Sequence, residues 1–147
     1  MGVFSSFAVS ASGLTAERLR LDLISNNIAN MNTTGRIGDP ANPPYVRKIP
    51  VFSQMLEQIE GAGELRPRFR GAGVRVAGIV GDGRPPRLVY EPSHPRADAK
   101  GYVAYPNINV VDEMVNMITA TRAYEANVTA LNAAKEIALK ALEIGRG

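Results

Sequence analysis

The chain has 147 residues, the length of one domain, and its 45% hydrophobic and 21% charged residues are typical of a folded protein rather than a disordered one. It contains no Cys and one His, His94, which excludes disulfides, thiol catalysis and any site that needs two histidines. The formal net charge of +3 is concentrated in residues 61–90, where arginines outnumber Glu64 and Asp82. No apolar run approaches the roughly 20 residues that cross a bilayer, and the N-terminus lacks the regions of a secretory signal. We therefore expect neither membrane insertion nor a cleaved signal peptide.

Proline and glycine divide the chain into three segments. All ten prolines lie between Pro40 and Pro106, and most glycines lie there too. Both residues are disfavoured inside helices. The sequence therefore predicts an N-terminal helical segment over residues 1–34, a turn-rich middle segment over 35–106 and a C-terminal helical segment over 107–147. The two terminal helices are expected to form one inner domain together.

Two rows of side chains run along the N-terminal helix. An apolar stripe recurs every seven residues at Phe7, Leu14, Leu21 and Ile28. A second row contains Ala16, Leu19 and Leu23 and continues into Asn26, Asn27 and Asn30. Asparagine is a mediocre helix former because its amide competes for backbone hydrogen bonds. We expect these amides to bond across to a neighbouring subunit; exposed amides at a fraying helix end are the alternative. The helix should end near residues 32–35 in a left-handed cap.

The C-terminal segment has the strongest periodicity in the chain. Its stripe alternates by four and three residues at Val110, Met114, Met117, Thr121, Tyr124, Val128, Leu131, Lys135, Ala138 and Leu142. A 3.5-residue period of this length predicts helices that wrap around each other as a coiled coil. Asn107 or Asn109 should cap the helix, and Asp112 and Glu113 suit its positive N-terminal end.

The middle segment predicts a small β-rich region. Residues 74–80 and 88–90 are short apolar runs on either side of a turn-rich loop, which predicts a β-hairpin. Residues 45–52 are a candidate third strand that an internal proline weakens. Residues 35–44 and 91–106 lack periodicity and are expected to be extended connections.

The helix lengths indicate an elongated, mainly α protein. A helix over residues 107–144 would be about 57 Å long, whereas a compact globule of this size has a diameter near ~40 Å. Apolar rows on more than one face exceed what two helices can hide between them, and surplus apolar surface marks an interface. We therefore expect an assembling protein. A self-contained helical hairpin packed on its own β-segment is the alternative.

Few side chains suggest other chemistry. The arginines between Arg66 and Arg87, with Phe69 among them, are the basis of an alternative function, a nucleic-acid-binding adaptor. A solvated loop is the plainer interpretation of residues 66–75, since no recognised binding motif surrounds them. The adjacent carboxylates Asp112 and Glu113 point in different directions on a helix and make a poor acid–base pair. No convergent catalytic set is visible, so we expect neither an enzyme nor a cofactor.

Both ends of the sequence resemble the rod, hook and filament axial proteins of bacterial flagella. At the N-terminus the resemblance covers residues 12–35, and its most diagnostic part is Ser25-Asn26-Asn27-Ile28-Ala29-Asn30. Further stretches are similar to the proximal-rod type within that family: residues 74–80, 86–90, 101–107, 109–117 and 122–127. The resemblance extends over nearly the whole chain.

The resemblance implies a structural subunit of the basal-body rod, located in the periplasmic space. In that family the terminal helices pair and pack with neighbours into the inner tube of a hollow axial structure, and the middle segment forms an outer β-rich part. Such subunits leave the cytoplasm unfolded through the flagellar type III export apparatus.

The partners implied are other proximal and distal rod subunits, the rod-base adaptor and the export apparatus, with no nucleic acid. The assembled helices would transmit torque and line the export channel. The expected assembly interface consists of Phe7, Leu14, Leu21, Asn26, Asn27, Ile28, Asn30, Val110, Met114, Met117, Tyr124, Val128, Leu131 and Leu142.

Overall fold

A computed structural model describes residues 3–59 and 68–145 of the chain. Its elements are, in order, α1 (Val3–Ala29), β1 (Lys48–Ile59), β2 (Arg68–Gly81), β3 (Arg87–Tyr90), β4 (Tyr102–Tyr105) and α2 (Val110–Ile144). The prediction of two terminal helices with a small antiparallel β-region between them is confirmed. Coiled-coil pairing of the two helices stays a prediction.

The end of α1 differs from the predicted left-handed cap. None of the described non-glycine residues has a positive φ, and Gly35 is not among the glycines that do. The chain leaves the helix through tight turns instead, in which the Met31 N–H donates to the Ile28 carbonyl and the Thr33 N–H to the Asn30 carbonyl. These bonds satisfy carbonyls that the helix end leaves open, so no left-handed residue is needed.

The start of α2 is fixed by a side-chain cap. The Asn109 side-chain oxygen accepts a hydrogen bond from the Val111 N–H at 3.0 Å. Asp112 and Glu113 lie in the first turn, as predicted from the helix dipole. Of the two candidate caps, Asn109 is therefore the one that the structure shows.

The predicted β-hairpin is wrong in its pairing. β2 pairs with β1, and β3 pairs with β4 in an antiparallel ladder that runs from Arg87 opposite Tyr105 to Tyr90 opposite Tyr102. β4 lies where an extended connection was expected. It has only four residues, and Val103 and Ala104 at its centre are both buried, so it lacks the alternation that marks a half-buried strand.

Gly35 joins the predicted connection 35–44 to β4. Its N–H donates to the Ala104 carbonyl at 2.9 Å, and its carbonyl accepts from the Ala104 N–H at 3.3 Å. A Cβ at this position would lie 2.4 Å from the backbone N and Cα of Pro44. Glycine is therefore required here by close backbone approach.

The chain divides into two compact units. Unit 1 comprises Met1–Leu19, Val51–Gly78 and Thr119–Gly147, and unit 2 comprises Arg20–Pro50 and Ile79–Ile118. The three-segment organisation with one inner helical domain stays a prediction.

The two units bury different kinds of side chain. Unit 2 buries the apolar residues Leu23, Ile24 and Val103, together with the polar residues Asn27 and Glu113. Within the described part of unit 1, the buried positions are all small: Gly13, Ala16 and Ala120.

Candidate assembly faces and a buried polar cluster

The two rows of α1 differ in burial. The stripe that recurs every seven residues is half-buried throughout: Phe7, Leu14, Leu21 and Ile28. The second row contains Ala16, Leu23 and Asn27, which are buried. The face of α1 that packs most deeply within the chain is therefore the row that ends in asparagine.

Burial along α2 repeats every 3.5 residues, but in a register shifted from the predicted stripe. One continuous line of buried and half-buried positions contains Glu113, Met117, Ala120, Tyr124, Asn127, Leu131, Ala134 and Ala138. Glu113 and Ala120 are fully buried and lie outside the predicted stripe. The predicted stripe consists mainly of large apolar side chains and therefore does not include Glu113 and Ala120.

The predicted α2 residues fall into two groups. Six are half-buried: Val110, Met117, Tyr124, Val128, Leu131 and Ala138. Four are exposed: Met114, Thr121, Lys135 and Leu142. The predicted stripe therefore mixes positions that pack within the chain with positions that face outward.

Large apolar side chains are exposed at both ends of α2. Near its start they occupy one face, with the spacing of adjacent helical turns: Val111, Met114, Val115 and Ile118, each more than half exposed. Near its end they are Ile137, Leu139, Leu142 and Ile144, again more than half exposed. We call these sets the initial and terminal apolar groups of α2. Such groups of exposed apolar side chains are typical of an interaction site.

Asn27 lies in the interior of unit 2 and uses both ends of its amide. Its Nδ2 donates to the Lys48 carbonyl at 2.9 Å and to Glu113 Oε2 at 3.2 Å. Its Oδ1 accepts from the Lys48 N–H at 2.9 Å and from the Tyr45 hydroxyl at 3.1 Å. The side chain is 1% exposed, so its bonding capacity is used within its own chain.

The other two asparagines of the motif are placed differently. The exposed Asn26 donates to the Asp22 carbonyl at 2.9 Å, and the half-buried Asn30 donates to the Asn26 carbonyl at 2.8 Å. Bonding of Asn26 and Asn30 to a neighbouring subunit stays a prediction. For Asn27 the structure supplies a partner set that the sequence did not indicate.

Glu113 is the acidic centre of the same cluster. Its Oε1 accepts hydrogen bonds from Arg47 Nε at 2.7 Å and Arg47 Nη2 at 2.5 Å, while its Oε2 faces Asn27. Arg47 also lies 3.6 Å from Asp82, through Nη1 and Oδ2. A buried carboxylate needs such partners because an uncompensated charge in the interior is costly.

Two titratable groups of unit 2, Tyr45 and Asp82, have shifted pKa values. Burial, followed by the charge of Glu113, raises the pKa of the Tyr45 hydroxyl. Hydrogen bonds from the Arg84 side chain and backbone, the largest influences, lower the pKa of Asp82 to about 2. The Tyr45 shift therefore follows from burial beside the cluster, and the Asp82 shift follows mainly from Arg84.

The predicted arginine loop is partly a strand. Residues 68–75 belong to β2, which corrects the expectation of a solvated loop there; Arg66 lies outside the described residues, as do the side chains of Arg68 and Phe69. Arg70 Nη2 lies 2.6 Å from Glu57 Oε2, and Arg84 Nη2 lies 2.6 Å from Asp82 Oδ2. These arginines neutralise acidic groups of their own chain.

Within unit 1, two close contacts connect α1 to β2 and to α2. The Ser12 hydroxyl donates to the Val9 carbonyl at 2.7 Å and accepts from the Val74 N–H at 3.1 Å. A Cβ on Gly13 would lie 2.8 Å from Asn127 Oδ1, so the absence of a side chain admits Asn127. These contacts place the small residues Ser12 and Gly13 of α1 against β2 and α2.

Neither a metal site nor a membrane-spanning helix is found among the described residues. Over residues 3–59 and 68–145, no group of three or more His, Asp or Glu side chains is placed to hold a metal ion. Neither helix, over its described length, combines the length and apolar character needed to span a membrane.

Comparisons with known proteins agree along the length of the chain. Residues 7–35 match the family model described as flagella basal body rod protein, and residues 99–144 match the C-terminal model of the flagellar basal body rod FlgEFG proteins. Flagellar basal-body rod protein FlgC of Borreliella burgdorferi is 46% identical, with 100% of both chains covered. FlgC of Bacillus subtilis is 44% identical over 99% of this chain and 100% of that protein, and FlgC of Aquifex aeolicus is 39% identical over 93% and 92%.

Identity of this extent shows homology along the whole chain rather than a shared motif. The two matched segments contain most of α1 and all of α2. The chain belongs to the FlgC family of flagellar basal-body rod proteins and is a structural subunit of the rod.

Proposed function

We propose that this rod subunit belongs to the proximal rod and assembles through its two terminal helices with copies of itself and with other rod proteins. The assembled helices carry torque and line the export channel. The further partners are distal rod subunits, the rod-base adaptor and the type III export apparatus. The subunit leaves the cytoplasm unfolded and is then located in the periplasmic part of the basal body. The role is structural, without catalysis or a cofactor.

The observation that carries the assembly proposal is the exposed apolar surface of α2. Its initial and terminal apolar groups contain eight large side chains that are 51–81% exposed. Covering such surface contributes about 25 cal/mol per Å2 of apolar area, so side chains contributed by neighbouring subunits would stabilise the assembly.

Unit 1 gives a second reason for assembly. Its buried positions among the described residues are glycine and alanine, which contribute little apolar area. Ordering a helical residue costs roughly 1–2 kcal/mol of backbone entropy. Apolar contacts from neighbouring subunits would offset that entropy cost. We therefore propose that unit 1 is stabilised by its neighbours in the rod.

The proposed interface retains most of the residues predicted from the stripes. The outward-facing members Met114 and Leu142 meet neighbours directly, and Asn26 presents an exposed amide. The half-buried members contribute their exposed edges, and α1 and α2 pair as a coiled coil along the shared seam. Asn27 acts within its own chain instead, through the cluster with Glu113.

The sharpest test uses Leu142→Asp, expressed in place of the bacterium's own chain. Leu142 is 66% exposed, so a charge there leaves the fold of the subunit intact but opposes apolar contact with a neighbour. We expect loss of swimming and of completed rods, with the amount of exported subunit unchanged.

Asn132→Asp is the matched control, because it adds the same charge at an exposed polar position of α2. It should swim normally. Normal swimming and complete rods in Leu142→Asp would contradict the role of the terminal apolar group in assembly.

A further inference from the structure

The Asn27 side chain bonds to the backbone of β1 in the way that a neighbouring strand would. The Asn27 amide gives a donor to the Lys48 carbonyl and an acceptor to the Lys48 N–H, at 2.9 Å each. A neighbouring peptide in a sheet offers the same pair of groups. The C-terminal end of α1 is thereby fixed against the first residue of β1.

The same amide leads on to α2. Its Nδ2 also faces Glu113, 86 residues away in the chain, and Glu113 accepts both bonds from Arg47, 66 residues away. Each of the three side chains provides a hydrogen-bond partner for a polar group that would otherwise be buried without one. The three residues come from three segments that are distant in sequence.

We propose that Asn27, Arg47 and Glu113 form a lock that sets the register of α1, β1 and α2 in unit 2 and closes only when all three segments are in place. An incomplete lock is unfavourable, because the absence of any one of the three side chains leaves buried polar groups without partners. The lock therefore favours one register of the three segments and disfavours registers in which a member lacks its partner.

Burial separates this cluster from the ion pairs on the surface. The Glu113 side chain is 1% exposed and that of Arg47 17%. In the Lys140–Glu143 pair of α2 the two side chains are 78% and 69% exposed. Surface pairs of that kind contribute little to stability because water screens them. The exposed Lys140–Glu143 pair therefore serves as a reference for the buried Arg47–Glu113 pair.

The lock also has a consequence for export, which rests on the proposed function. A chain that passes unfolded through a channel cannot close the lock until residues 27, 47 and 113 are all on the far side. Unit 2 then acquires its final register after transit and not during it.

The test is a double-mutant cycle on the isolated full-length subunit, with Arg47→Met, Glu113→Leu and both together. We expect each single variant to raise the unfolding equilibrium constant of unit 2 on the order of a hundredfold. The double variant should be at least about tenfold more stable than the product of the single effects predicts. Lys140→Met and Glu143→Leu, made in the same combinations, should show no coupling.

Additive effects of Arg47→Met and Glu113→Leu, or single effects as small as those at Lys140 and Glu143, would overturn the lock. A second measurement covers variants that fail to fold. Hydrogen exchange of the Asn27 side-chain amide in the unmodified subunit should be slow, because its N–H groups are buried and bonded. Exchange at the rate of an exposed asparagine amide would also overturn the lock, and it would leave the test of assembly at Leu142 unaffected.

Discussion

Units 1 and 2 are built from the same two helices but are held together by different means. Unit 2 buries large apolar side chains together with a closed polar cluster, whereas the described part of unit 1 buries glycine and alanine. A protein interior gains stability from apolar area and from satisfied polar groups. We therefore expect unit 2 to be stable by its own contacts and unit 1 to depend more on the neighbours that we propose for it in the rod.

The largest expected effect comes from Gly35→Ala in unit 2. The new Cβ would overlap the Pro44 backbone at 2.4 Å, which no side-chain rotation relieves. We expect a loss of about 3 kcal/mol in the free energy of unfolding of the isolated subunit, as for overpacking in a core. Denaturant unfolding measures it. Gly83→Ala is the control, because nothing lies within 4 Å of its added Cβ, and an equal loss there would contradict the account.

A smaller and local effect is expected from Gly73→Ala in unit 1. Gly73 has a φ of 121°, and an added Cβ would lie 2.3 Å from Ser12 Oγ. A side chain at this positive φ costs roughly 1–2 kcal/mol, and its contact with Ser12 should break the bond from the Val74 N–H to Ser12. Amide exchange at Val74 should therefore accelerate on the order of tenfold.

Gly78→Ala, which has open space around its added Cβ, is the matched control in unit 1. Neither substitution should shift the unfolding transition of unit 2. A shift with Gly73→Ala as large as that with Gly35→Ala would show that the two units unfold as one.

The smallest effect concerns acid. The pKa of Asp82 is about 2 in the folded chain, below its ordinary value of 3.8, mainly because Arg84 donates to it. A lowered pKa contributes stability above about pH 4 that is lost as the pH falls toward 2. The stability difference between the wild type and Asp82→Asn should therefore narrow over that range in acid denaturation. Arg84→Gln should reproduce the weaker acid response, and an unchanged response in both variants would contradict the assignment.

The sequence was sufficient to predict the terminal helices because their periodicity is long and free of proline. It also placed Asp112 and Glu113 in the first turn of α2. The sequence did not predict the pairing of the strands. β4 lacks the alternation of a half-buried strand, so its pairing with β3 could not be recognised from the residue pattern. Strand partners depend on contacts between distant residues, which a local pattern does not contain.

The candidate site was predicted less completely than the fold. The asparagine row was recognised as unusual, but its meaning depended on Lys48 and Glu113, which only the folded chain brings to Asn27. The inward line of α2 includes Glu113 and Ala120, which a pattern of large apolar residues does not reveal. The sequence contains these polar residues in three different segments, but nothing in it shows that they pair with one another.

Backbone amide exchange along α1 and α2 in the isolated, monomeric subunit tests the central claim most directly. Each helix carries residues of both units, so each supplies its own internal comparison. The account predicts that amides at 23–29 and 114–118 exchange at least about tenfold more slowly than those at 13–19 and 120–131, and that the difference disappears in the assembled rod. Uniformly strong protection along both helices of the monomer would contradict it.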